Sequence, residues 1–225
     1  YAASDKLSLT AGYMGTFIGY EVISPLANFH YSTSYLFTTG PFQNAGIKAN
    51  YAVSSKVGLM VGLFNDQWNT YKATPEFGLN AFGAQLTVTP AEGFTAYFNL
   101  LTGSESGTIV DLTAAYQITP KFKLGLNAAD YSGVESGSGY SGLALYPSVA
   151  ISDTFGLGLR AESFKSKTTD TSVTAFTLSA NLKSGGLTFI PEIRLDSASE
   201  KEFYSSNGNP TKSASQVALA MVYGF

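Results

Sequence analysis

The chain has one histidine, His30, with Ser32 and Ser34 following at two-residue spacing. A hydroxyl beside an imidazole is the minimum for nucleophilic hydrolysis, with the ring taking the hydroxyl proton. Nothing in the spacing singles out one serine among many, so no catalytic residue is assigned and no enzyme is expected. With no cysteine and a single histidine there is no Cys/His metal site and no disulfide framework, and no cofactor is expected. The charged residues make a different pattern. Arg160 and Glu162 stand two apart, as do Glu192 and Arg194. In an extended chain, residues two apart share a face. Opposite charges on the inner face of a pore would set up a transverse field that orients and sieves small solutes. They would equally form a paired wall network that only satisfies interior charge. Both readings stay open.

The elements that must carry these residues follow the same period. Phe94, Ala96, Phe98 and Leu100 alternate with Thr95, Tyr97 and Asn99, and Leu157, Leu159 and Ala161 alternate with Gly158, Arg160 and Glu162. No stripe at helical spacing persists over a long window. Two kinds of connection alternate along the chain. The short kind, such as Ser54-Ser55-Lys56, Thr119-Pro120-Lys121 and Ser152-Asp153-Thr154, has the composition of tight hairpin turns. The longer, more polar kind covers 65–76, 102–107, 131–141, 165–171 and 197–212. The chain therefore reads as a string of hairpins with short turns at one end and long loops at the other.

Composition gives this layout a solvent. Of 225 residues, 13% are charged, 14% aromatic and 44% hydrophobic, with a net charge of −3. A soluble domain carries about 25% charge. The deficit is understandable if one face of the sheet meets lipid. Closed barrels satisfy every strand's backbone groups without water, and bacterial barrels combine short periplasmic turns, long extracellular loops and strands of about 10 residues. The charge balance excludes a nucleic-acid binder. Residues 22–47 lack Asp, Glu, Lys and Arg but are too polar for a membrane helix. A soluble β-sandwich shares the alternation but should carry more charge and lack the one-ended loop asymmetry. The expected fold is all-β: a transmembrane antiparallel β-barrel forming a single domain over residues 1–225, integral to the bacterial outer membrane.

Reading back from Phe225 with period two gives Tyr223, Met221, Leu219 and Val217. A terminal Phe that closes an apolar alternation resembles the signal recognised by the outer-membrane assembly machinery. Phe225 and Tyr223 are therefore assigned to membrane assembly. With Phe225 in the periplasm, working backward places every short turn there and every long loop outside. Residues 14–44 must then leave and re-enter on the extracellular side. They are expected to form an inserted loop folded into the lumen, with a short helix near Phe29–Phe37 capped by Asn28. On this parity the chain holds about 12 strands.

The same segment carries a family resemblance. Gly12-Tyr13-Met14-Gly15-Thr16-Phe17-Ile18-Gly19-Tyr20-Glu21 resembles the G-x-x-x-T-P-x-G-x-E stretch of a family of outer-membrane β-barrel porins from Gram-negative bacteria. Asn28-Phe29-His30-Tyr31-Ser32-Thr33-Ser34 and Pro41-Phe42-Gln43-Asn44-Ala45-Gly46 resemble its N-x-x-Y-S-R-S and P-F-x-H-T-G elements. The layout is also similar to that of phosphate-selective porins, in which an equivalent loop enters the barrel. Phe17 stands where Pro is usual, Thr33 where Arg is usual, and Asn44-Ala45 where His-Thr is usual. The missing Arg and His weaken any carry-over of anion selectivity. The resemblance implies strands upstream of the motif. Tyr1-Ala2-Ala3 looks like the tail of one, so the full barrel is expected to hold about 14 to 16 strands.

Strand parity assigns Lys48, Asp111, Lys123, Arg160, Glu162, Glu192, Arg194 and Asp196 to the pore lining. In the inserted loop, Glu21, Asn28, His30, Tyr31, Ser34 and Tyr35 would narrow the pore, or would merely pack the loop against the wall. Inward glycines such as Gly83, Gly125, Gly156 and Gly158 suit either an open lumen or a close-packed plug. Outward aromatics near strand ends, among them Tyr13, Tyr51, Phe94 and Tyr116, suit interfacial belts, and Trp68 suits packing within a loop. The expected function is a porin, a water-filled channel for passive diffusion of small hydrophilic solutes or ions. Its expected partners are the lipid bilayer, lipopolysaccharide and the assembly machinery, with no nucleic acid, and an oligomer or larger membrane complex is open. The alternative is a plugged or structural barrel serving as an accessory subunit of a larger outer-membrane complex.

Overall fold

Each alternating run forms a strand in the computed structural model, which describes residues 1–225. The first half of the sheet is β1 (Leu7–Gly15), β2 (Gln43–Ala52), β3 (Val57–Phe64), β4 (Ala81–Val88), β5 (Phe94–Gly103) and β6 (Gly107–Gln117). It continues through β7 (Phe122–Ser132), β8 (Gly139–Ala150), β9 (Phe155–Ser166), β10 (Ser172–Ser184) and β11 (Leu187–Ala198). A two-stranded flap, β12 (Phe203–Tyr204) with β13 (Pro210–Thr211), interrupts the last long loop before β14 (Ser213–Tyr223). Twelve strands pair antiparallel in the order β1 to β11 and then β14, each with its neighbour in sequence. β1 and β14 are the two edges and do not pair with each other.

The turn chemistry is local. Ser4 Oγ accepts from the Leu7 amide at 3.1 Å, Thr119 Oγ1 from the Phe122 amide at 3.0 Å, and Ser54 Oγ from the Lys56 amide at 3.2 Å. Such hydroxyl-to-backbone bonds hold a chain in a tight reversal. The hydroxyl-capped turns lie at one end of the sheet and the longest connections at the other, but the expected 102–107 loop there is a tight turn, with only residues 104–106 between β5 and β6.

Register separates the faces. Leu126, Leu145, Ala161, Phe176 and Leu195 stand side by side across β7 to β11, and Phe176 and Leu195 are about half exposed. This is the apolar band that lipid would solvate. The opposite face carries the polar rows. Arg160, Thr177, Arg194 and Gln216 are register neighbours across β9, β10, β11 and β14. Phe64, Leu101, Ile109, Tyr140 and Phe164 also face inward, at the long-loop ends of their strands, and are buried. They pack with Ile18 and Leu36 of the inserted segment into one cluster. The inner face thus carries an apolar cluster at the long-loop ends of these strands as well as a polar wall.

Three expectations need adjustment. The helix is α1 (Tyr35–Thr39), not 29–37, and its N-cap is Ser34, whose Oγ accepts from the Phe37 amide at 3.0 Å. Asn28 caps no helix. Its side chain accepts from the Val22 amide at 3.0 Å and donates to the Val22 carbonyl at 2.6 Å, closing a turn. Asn and Ser are nearly equal as caps, so contacts with the wall decided which one starts the helix. Finally, the β1–β2 ladder runs on through Met14–Asn44 and Gly15–Gln43, so the loop proper covers 16–42. At the same end, Tyr131 and Tyr140 extend the β7–β8 ladder into the expected 131–141 loop, with rings 5.2 Å apart.

The β3–β4 connection on that side is held by a buried carboxylate. Asp66 accepts from Ser104 Oγ and the Glu105 amide, both at 3.0 Å, and from the Ser106 amide and hydroxyl at 3.0 and 2.6 Å. Burial alone would raise its pKa, but these donors outweigh burial and hold it below the usual range. Trp68 packs on Tyr131 with rings 5.0 Å apart.

Candidate functional site

The inserted segment 16–42 descends one wall of the sheet and climbs another. On the way down, its aromatics fill holes left by inward glycines. A β-carbon at Gly83 would collide with the Phe17 ring, and one at Gly125 with the Tyr20 ring. Backbone amides are caught at the same time. The Gly19 N–H donates to Asp111 Oδ1 at 3.0 Å and the Tyr20 N–H to Asn127 Oδ1 at 3.3 Å. Gly19 has φ +89°, a conformation costly for any residue with a β-carbon. Asp111 also accepts from Asn99 Nδ2 at 2.7 Å and from Asn127 Nδ2. The Tyr20 ring stacks on Tyr146 at 4.5 Å.

After the Val22–Asn28 turn the loop rises along β9 to β11, crossing four successive inward rows. In the first row Asn181 Nδ2 donates to the Phe29 carbonyl at 2.8 Å, and the Phe29 ring fills the hole at Gly158 in the row above. In the second row Glu192 accepts from the Tyr31 and Ser32 amides at 3.0 and 3.1 Å and from Ser179 Oγ at 2.7 Å. In the third, Arg160 Nη1 donates to the Ser32 carbonyl at 2.6 Å and to Glu21 at 2.8 Å, while Nη2 reaches Thr177 Oγ1 at 3.0 Å. In the fourth, Glu162 accepts from the Tyr35 and Leu36 amides at 2.9 Å each. Those two N–H groups are among the unpaired donors at the start of α1. Glu21 in turn accepts from the Ser34 amide at 2.8 Å and from the Ser34 hydroxyl.

Every assigned pore-lining position lies on the inner face, but neither expected pair forms. Arg160 bonds to Glu21 of the loop rather than to Glu162, and Arg194 bonds to Asp196, two residues on, at 2.9 Å rather than to Glu192. Arg194 also donates to the Thr33 carbonyl at 2.8 Å and lies 4.9 Å over the Tyr35 ring. Most wall charges hold loop backbone, an arrangement that is neither a free transverse field nor a wall-only network. Lys48 and Lys123 differ, since neither has an ion-pair partner. In the loop, Glu21, His30 and Ser34 are buried, Tyr35 is partly buried, and Tyr31 is half exposed. Tyr35 OH donates to Asp196 at 2.9 Å. Burial, reinforced by the Asp196 charge, pushes its pKa up to about 12, so it remains a donor. Tyr223 and Phe225 point outward, their rings 6.3 Å apart.

His30 meets neither Ser32 nor Ser34. Its Nδ1 lies 2.7 Å from Ser179 Oγ. That hydroxyl gives its single proton to Glu192, so the imidazole must be the donor at Nδ1 (a tautomer assigned from this bonding order). The ring therefore cannot take the Ser179 proton. Burial first, then the Arg160 guanidinium, lowers His30 to about 4 and leaves it neutral.

Two cavities flank the loop. One, of about 660 Å³, lies on the short-turn side beneath Leu26 and Phe29 and is lined by Gln117, Lys123 and Lys183. The other, of about 590 Å³, lies between Tyr31 and Tyr35 of the loop and Arg194, Asp196 and Gln216 of the wall. Parity alone missed several members of the site. Phe17, Tyr20 and Phe29 were signalled only by the inward glycines they fill, and Lys183 only by its place two residues after Asn181. Nothing in the sequence pointed from Glu21 to Arg160.

A family model described as "Putative beta-barrel porin-2, OmpL-like" matches residues 1–225. Among solved structures, the fold is similar to an anion-selective porin from Comamonas acidovorans, at 12% identity and a TM-score of 0.61, over 79% of this chain and 59% of that one. It is also similar to OccAB4 of Acinetobacter baumannii, at 9% identity and a TM-score of 0.66, over 98% of this chain and 63% of that one. A third is OccK11 (OpdR) of Pseudomonas aeruginosa, at 10% identity and a TM-score of 0.56, over 69% and 54%. At such identities the likeness concerns the fold alone. The chain spans less than two thirds of each of these proteins. No curated protein sequence matches it.

Proposed function

The chain belongs to the OmpL-like β-barrel porin-2 family of the bacterial outer membrane, and from that premise we propose that it forms the wall and constriction of a channel for passive diffusion of small hydrophilic solutes. The observation that carries this reading is the inserted loop, clamped row by row to the inner wall with solvent-sized space on both sides. A loop fixed at so many points is a rigid restriction. In this reading Glu21, Asn28, His30, Tyr31, Ser34 and Tyr35 belong to the narrowing element. Arg160, Glu162, Glu192 and Asp111 set its position, Arg194 and Asp196 line the path on the Tyr31 side, and Lys48 and Lys123 present free charge to solutes.

An unpaired sheet edge cannot face lipid, so β1 and β14 need partners. The reading gives them further strands of the same barrel. It also gives Phe225 and Tyr223 to recognition by the assembly machinery and the outward apolar band to the bilayer, with lipopolysaccharide on the long-loop side.

Planar-bilayer conductance of the full-length protein tests the proposal. Discrete ion-conducting steps are expected; a folded barrel with no current above background would overturn it. That outcome would favour the second reading, an accessory subunit with a plugged lumen. The apolar cluster of Phe64, Leu101, Ile109 and Phe164 around the loop supports this alternative.

A further inference from the structure

The inner face sorts its charges by height. Glu21, Asp111, Glu162, Glu192 and Asp196 each accept at least two hydrogen bonds from the loop or the wall. Arg160 and Arg194 are committed to the same network. Below the loop the pattern changes. Lys121, Lys123 and Lys183 line the 660 Å³ cavity, and none has an ion-pair partner. Asp153 is the one acid lining that cavity besides the neutralised Glu21. Although the chain carries a net charge of −3, the free charge facing this space is positive.

The remaining lining is not that of a plain ion vestibule. Lys123 stands in register between Gln117 and Ser148, and across the cavity lie Leu26, Phe29, Ile190 and Val222. Tyr146, also in the lining, is buried with its ring stacked on Tyr20. The volume falls within the roughly 300–1,000 Å³ of small-molecule sites. Cations at the rim of an apolar recess suit a molecule with a charged head and an apolar body.

We propose that this cavity binds small organic anions that carry an apolar or aromatic portion, presenting them to the loop from the periplasmic side. Binding needs only the cavity; the consequence for transport rests on the channel reading above.

The probe is benzoate. Titration calorimetry of the full-length protein in detergent at low salt should show saturable benzoate binding. The K123E/K183E variant should weaken it by roughly tenfold or more, and the milder K123Q/K183Q variant should weaken it less. K201E, on the exposed long-loop side, should leave it unchanged. Inorganic phosphate should bind more weakly than benzoate, because it cannot use the apolar recess. No saturable benzoate binding, equal binding of phosphate, or indifference to both double variants would overturn the proposal. In bilayers under a KCl gradient, the reversal potential should lie on the anion side and move toward the cation side in K123E/K183E. Benzoate binding without conductance would sink the channel reading and leave the site standing. Conductance without benzoate binding would do the reverse.

Discussion

Arg160 shows at the residue scale how the inner face works. It is fully buried, and its guanidinium ties Glu21, the Ser32 and Thr33 carbonyls and Thr177 together. Removing one partner of such a pair strands the other's charge, at about 3–5 kcal/mol, whereas replacing both with apolar groups is often neutral. R160A is therefore expected to lower thermal stability in detergent sharply and to open residues 16–42 to protease. R160M/E21M should recover most of the loss; a double variant as unstable as R160A would show that the pair is not what holds the loop. His30 makes a pH prediction. Its folded pKa, about 4, lies below the ordinary 6.5, so the unfolded chain binds the proton first as pH falls. The stability that neutral His30 contributes is whole above about 6.5 and declines toward about 4, by roughly 3 kcal/mol at most. Melting curves of wild type and H30N across that window should diverge, with wild type losing more on acidification. Parallel curves would mean that the ring titrates normally.

At the element scale, the strands were legible in the sequence and the inserted loop was legible only in part. Period-two alternation and hydroxyl-rich turns are short-range signals, and they located every long strand of the sheet. That residues 14–44 had to be an insertion followed from parity. What the loop does inside did not follow, because its helix starts where Glu162 accepts the Tyr35 and Leu36 amides. That contact joins residues more than a hundred positions apart, and Asn28 was an equally good local candidate. The glycine holes test the packing. G158V should displace Phe29 and cost about 1–3 kcal/mol by overpacking, with F29A/G158V less affected than G158V alone. If Phe29 truncation gives no relief, the ring does not fill that hole. Deleting residues 29–37 should raise single-channel conductance if the loop narrows the path, and unchanged conductance would remove it from the constriction.

For the whole molecule, the open question of assembly has a direct measurement. F225A is expected to lower the amount of folded protein in outer-membrane fractions without altering the conductance of molecules that do insert. Normal levels would show that Phe225 is not read during assembly. The distribution of charge is also a property of the whole. The outward face carries almost none, most charges of the loop and its wall are tied into hydrogen bonds, and the short-turn end carries lysines without ion-pair partners. A net charge of −3 sums over all of these and describes none.

By itself the sequence determined the strands, their faces and the outer-membrane setting, because alternation and turn residues act over a few positions and lipid excludes charge from one parity. Only the tertiary structure decided what the inward charges are for. A wall residue knows its face from its neighbours, but its partner from the path of the loop. Arg160 meets Glu21 and Glu192 meets Tyr31 because residues 16–42 climb that particular wall, and only the path of the folded loop decides where the inner face packs into an apolar cluster and where a cavity remains.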